Sequence, residues 1–148
     1  MNSAFTILCE KTAEVGERSD CGVKALTLCL SAPYEWVWYE LVKKGRMRGR
    51  GTGIKLILDL VKECGYSSIE RDGSWKTVAD FEKARLAGTF LVLVRKGKHI
   101  LCVKDGKAID WTTGGKHKIM TVWEIIPQNP KADFIIPEIP KSAIYARD

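Results

Sequence analysis

His99-Ile100-Leu101-Cys102-Val103-Lys104-Asp105-Gly106-Lys107-Ala108-Ile109-Asp110 is the stretch whose reading decides the fold. Asp-Gly between two apolar runs is a strong hairpin signal, because a type I′ turn needs positive φ at both central residues. A two-residue loop pairs Lys104 with Lys107, Val103 with Ala108, Cys102 with Ile109 and Leu101 with Asp110. Side chains alternate along a strand, so His99, Leu101 and Asp110 are expected on one side of the ribbon. His99 and Asp110 then become diagonal cross-strand neighbours, within reach of each other's side chains.

Outward from this hairpin the β pattern continues. Thr89 to Val94 is an apolar, β-branched run, with a turn at Lys96-Gly97 before His99. Thr113 to Lys116 reads as a turn, and Ile119 to Ile126 as a last strand. Upstream the period changes to that of helices. Ser19 or Asp20 is a candidate cap for a helix from Cys21 to Leu30, and Pro33 opens a second from Tyr34 to Lys44, stopped by Gly45. Gly53 to Cys64 reads as a third helix capped by Thr52, and Thr77 caps a fourth through Leu86, ended by Gly88. Helices followed by a meander of strands define an α+β domain over residues 1–126. Pro127, Pro130, Pro137 and Pro140 mark 127–148 as a Pro-rich extended tail.

The chain of 148 residues is long enough to bury a core without staples, and 45% hydrophobic with 28% charged residues is ordinary for a globular protein. No run approaches the roughly 20 apolar residues of a membrane span, so no membrane partner is expected. Met1 to Cys9 carries an apolar patch without a basic segment before it, so no signal peptide is expected. Five cysteines, none at C-x-x-C spacing, point to neither a disulfide framework nor a metal site. A reducing cytoplasm is the simplest setting, and no cofactor or metal is expected.

One of those cysteines has a distinctive position. Cys21, at the start of its helix, sits where backbone N–H groups and the helix dipole favour a thiolate. Gly22 beside it presents no side chain to an approaching carbonyl, and the Cys21 N–H can serve as an oxyanion donor. A thiol nucleophile needs a base, and a base needs a group fixing its tautomer. The chain has two histidines. His117 reads as a solvated loop residue, leaving His99 as base and Asp110 as its orienter.

Glu17-Arg18-Ser19-Asp20-Cys21-Gly22-Val23-Lys24-Ala25-Leu26 resembles the nucleophile segment of papain-like cysteine peptidases, above all the peptidase domains of bacteriocin-processing transporters. Gly97 to Val103 and Ala108-Ile109-Asp110 resemble that group's histidine strand and the aspartate after it. The layout is also similar to that of a set of small phage and bacterial proteins. The resemblance spans about Arg18 to Val122. It implies a papain-like fold, with the nucleophile opening a central helix packed on an antiparallel sheet. It also implies a thiol hydrolase acting on a protein or peptide through Cys21, His99 and Asp110. Ser19, Gly22, Arg46, Arg48, Arg50 and Trp111 are the expected substrate contacts. The family's glutamine, a few residues before the nucleophile, has no counterpart: Val15, Gly16 and Glu17 stand there, and the only glutamine is Gln128. Ser19 and Thr12 are the nearby side chains able to donate instead. Losing one oxyanion donor costs on the order of a hundredfold in rate, so a non-catalytic binding module on the same scaffold is the alternative.

The net charge of +6, from 24 Lys and Arg against 18 Asp and Glu, favours acidic partners. Lys43, Lys44, Arg46, Arg48, Arg50 and Lys55 form a run without an acid, expected as an exposed loop beside the cleft that engages an acidic partner or nucleic acid. Trp36, Trp38 and Tyr39 before it read first as core and second as base-stacking groups. Gly49-Arg50-Gly51-Thr52-Gly53 lacks the Gly-Lys-Ser/Thr ending of a phosphate loop.

Overall fold

The structure, a computed structural model, describes residues 21–46, 53–109 and 116–135. Its elements are α1 (Cys21–Leu30), α2 (Tyr34–Lys43), α3 (Ile54–Glu63), β1 (Tyr66–Arg71), α4 (Val78–Lys83), β2 (Thr89–Val94), β3 (His99–Lys104), β4 (Lys107–Ile109) and β5 (Ile119–Pro127). A single 3-10 turn, Arg95–Gly97, joins β2 to β3. The strands form one antiparallel sheet in the order β1-β5-β2-β3-β4, so the class is α+β.

The hairpin register is the one its turn dictates. Cys102 pairs with Ile109, Val103 with Ala108 and Lys104 with Lys107. Asp105 and Gly106 take φ of 48° and 82°, as a type I′ turn requires. The expected pairing of Leu101 with Asp110 lies outside the described residues.

The sheet is covered on both faces, which is why its strands read as nearly continuous apolar runs. Leu91, Ile100, Cys102 and Ile125 pack against α1, α2 and α3, whose buried side chains include Leu26, Leu30, Trp38, Leu41 and Leu60. Phe90, Val92, Leu101, Val103 and Val122 pack the other way, against Val78 and Phe81 of α4. Each such side chain removed from water contributes roughly 1.5–3 kcal/mol. Trp36 and Trp38 are 8% and 0% exposed, so the aromatic pair is core rather than a stacking platform.

Four features differ from the sequence expectations. Tyr66-Ser67-Ser68-Ile69-Glu70-Arg71 is a strand that the apolar pattern does not announce, pairing with β5 from Tyr66–Pro127 to Arg71–Val122. It is a sheet edge whose outer half is exposed, so polar residues suffice. α4 stops at Lys83 rather than Leu86 because Arg85 turns left-handed, at φ 49°. Its start is as expected: the Thr77 hydroxyl accepts from the Asp80 N–H, and the Asp80 carboxylate from the Thr77 N–H.

The third difference concerns Arg46, expected in an exposed loop but 5% exposed. The cause is the stop of α2. Gly45, at φ 109°, donates to the Val42 carbonyl and the Arg46 N–H to the Leu41 carbonyl, both at 3.0 Å. These are the two bonds of a Schellman motif, which folds the residue after the glycine back onto the helix.

The fourth concerns the start of the Pro-rich tail. Pro127 ends β5, and the chain after it is held on the helical layer. Gln128 and Asn129 donate to the Gly65 carbonyl at 2.9 Å, and Lys131 to the Cys64 carbonyl at 2.8 Å. Phe134 meets the Trp36 ring edge-on at 4.8 Å. Gly65, at φ 86°, is obligatory here: a Cβ would stand 1.9 Å from the Asn129 carbonyl oxygen. Residues 136–148 lie outside the described part.

Candidate functional site

α1 packs directly on β3, and that contact unites the two chemically distinctive residues. Cys21 is the first described residue of α1. His99 opens β3 opposite Val94, the last residue of β2. The Cys21 thiol is half-buried and hydrogen-bonded to the His99 side chain. Burial pushes the thiol pKa up. The His99 hydrogen bond, the Ile100 backbone N–H, the charge on His99 and the Gly22 N–H outweigh it, and the thiol lies below its ordinary value. Both residues line a cleft of about 180 Å³ walled by Ile54 and Ile57 of α3, Leu93 of β2 and Ile100 of β3. Lys98 borders the same cleft, and Gly53 and Gly97 present no side chains to it. The arrangement places an acidified thiol beside an imidazole in an apolar recess.

The other described thiols are of a different kind. Cys29, Cys64 and Cys102 are all buried. Burial raises the Cys29 thiol well above the ordinary value, and raises Cys64 to about 11. Cys21 alone among the described cysteines is accessible and shifted toward the thiolate.

His117 is a residue that sequence reasoning misplaced. It was expected as a solvated loop residue, yet it is half-buried with its ring centroid 5.8 Å from that of His99. Its carbonyl accepts from the Val78 N–H at 3.1 Å, and the next residue, Lys118, bridges to Thr77. These contacts are non-local; the only sequence hint was that the chain has just one other imidazole.

Of the expected substrate contacts, Gly22 is buried in the first turn of α1, beside Cys21. Arg46 is in the interior rather than on a free face. Lys43 pairs with Glu40 at 2.9 Å, and Lys44 with Glu63. The described part of the basic run is therefore not a continuous unpaired surface. Thr12, Ser19, Arg48, Arg50, Asp110 and Trp111 lie outside the described residues. Among the described residues no three His, Cys, Asp or Glu side chains gather as metal ligands would, and no helix is long and apolar enough to cross a membrane. Compared with known families and with curated proteins, the sequence matches no family model and no curated relative.

Proposed function

We propose that the protein is a thiol hydrolase of papain-like layout that cleaves an amide, isopeptide or thioester bond in a protein or peptide, acting in a reducing cytoplasm (a host's, if it is phage-encoded). The observation that carries the reading is the accessible, acidified Cys21 thiol hydrogen-bonded to His99 in an apolar cleft. Cys21 Sγ attacks the carbonyl carbon, and the Cys21 N–H binds the developing oxyanion. The His99 imidazolium gives its proton to the leaving group. Neutral His99 then takes a proton from water, which hydrolyses the acyl-enzyme and frees the sulfur. Asp110 orients His99 and stabilises the imidazolium. No cofactor enters this cycle.

The second reading, a non-catalytic binding module, rests on the missing glutamine, whose place Val15, Gly16 and Glu17 take. An electrophilic probe for cysteine hydrolases separates the two. A hydrolase takes up one equivalent at Cys21, loses labelling in Cys21→Ala, and turns over a thioester or peptide substrate. A native chain that neither labels at Cys21 nor turns over refutes the proposal.

A further inference from the structure

Behind the Cys21–His99 pair lies a second couple of groups that the proposed chemistry does not use. Cys29 Sγ donates to Cys102 Sγ at 3.0 Å, and it also lies 3.7 Å from the Phe90 carbonyl. Both side chains are buried, at 5% and 0% exposure, and both are free thiols. Cys64, as deeply buried, has no hydrogen-bonded sulfur among the described residues. Burial explains a lone core cysteine, which packs as a small hydrophobe. It does not call for two sulfurs facing each other across a helix–sheet contact, where an Ala–Val pair would pack without redox chemistry.

We propose that Cys29 and Cys102 are a modification site: a dithiol that hydrogen peroxide converts reversibly into an intramolecular disulfide joining α1 to β3. A disulfide spans about 2.05 Å, so the sulfurs close by about 1 Å from their present 3.0 Å. One thiolate attacks a peroxide oxygen, the O–O bond breaks, and a sulfenic acid and one water result. The second sulfur attacks the sulfenic sulfur, the S–S bond forms and a second water leaves. Two thiols and one peroxide thus give one disulfide and two waters; the sulfurs lose two electrons and the peroxide gains them. A dithiol such as dithiothreitol reverses it by exchange.

Burial holds the Cys29 thiol well above its ordinary value, so the thiolate is scarce and oxidation waits on local opening of the core. The couple therefore responds to sustained oxidant, whereas the half-buried, acidified Cys21 reacts sooner. The bond would close a loop across 73 positions of sequence, so it restricts the unfolded chain more than a short loop does. Cys29 shares a helix with Cys21, and Cys102 a strand with His99, so the same bond clamps the elements that set the catalytic pair.

The test treats the native full chain with hydrogen peroxide, then unfolds it, alkylates it and maps the cysteines by mass spectrometry without reductant. The proposal expects a linked peptide pair joining Cys29 to Cys102 and a rise in the urea unfolding midpoint that dithiothreitol reverses. Cys102→Ala should show neither change. A Cys21→Ala chain should form the bond equally well, which makes the result independent of whether Cys21 is a nucleophile. Recovery of Cys29 and Cys102 both alkylated after prolonged treatment overturns the proposal. So does finding either of them joined to Cys9, Cys21 or Cys64.

Discussion

The order in which iodoacetamide alkylates the thiols of the native protein follows from where each sulfur sits. Cys64 is lifted from 9.0 to about 11, which leaves about a hundredfold fewer thiolates at neutral pH than an unperturbed thiol has. Cys29 is displaced the same way, and both are shielded from reagent. Cys21 is displaced the opposite way and is accessible, so it should react at least about a hundred times faster than Cys64. His99→Ala removes the imidazole hydrogen bond but leaves the desolvation in place. A hydrogen bond to a charged group is worth about 1.5–3 kcal/mol, and Cys21's partial exposure favours the low end. The Cys21 rate should therefore fall about tenfold in the variant, while Cys64 is unaffected. Timed alkylation at about pH 7, quenched and mapped by mass spectrometry, reads each site separately. Labelling of Cys64 or Cys29 ahead of Cys21, or a Cys21 rate indifferent to His99→Ala, would refute the reasoning.

Other outcomes can be checked alongside. If Asp110 orients His99, Asp110→Asn should cut turnover by about a hundredfold or more at an unchanged melting temperature. Asp105→Asn should change neither, because Asn tolerates φ 48° and its amide oxygen can accept the Gly88 N–H now bound at 2.9 Å. Gly65→Ala should lower stability by about 2–4 kcal/mol in urea unfolding, combining left-handed strain with a clash against the Asn129 carbonyl. Alkaline pH should destabilise the fold. A thiol whose folded pKa exceeds its unfolded value adds stability that is intact below 9.0 and is lost as pH climbs toward about 11. Cys64 alone should account for about 2 kcal/mol by pH 10.5, so Cys64→Ala should show a flatter pH profile even from a lower starting stability.

What the sequence made legible was local chemistry. Asp105-Gly106 set the hairpin register, Gly45 stopped α2, and Thr77 began α4. The nearness of Cys21 and His99 was also readable, because one opens an apolar helix and the other a strand that the helix must cover. Three of the misses, β1, His117 and the start of the tail, share a cause: each depends on residues distant in the chain. β1 is held as a strand by β5, not by its own alternation. The burial of Arg46 follows from the hand of the turn at Gly45, which a charged side chain does not reveal. His117 is brought beside His99 by the Thr77–Lys118 bridge, and the tail's first residues are fixed by the Gly65 carbonyl. The orienting role of Asp110 rests on the register alone, since that residue lies outside the described part.

The position of β5 dictates an order of assembly. It lies between β1 and β2, bonded to both, yet it is the last made of the described strands. A nascent chain emerging from the ribosome can close the β2–β3–β4 meander early, since these pairings span short loops. β1 has no partner until Pro127 arrives opposite Tyr66, and until then it and β2 present open backbone edges to other chains. Such late, long-range closure slows folding and exposes intermediates to aggregation. Truncation before Ile119 should therefore produce an insoluble chain, even though the Cys21–His99 pair lies wholly upstream of the cut.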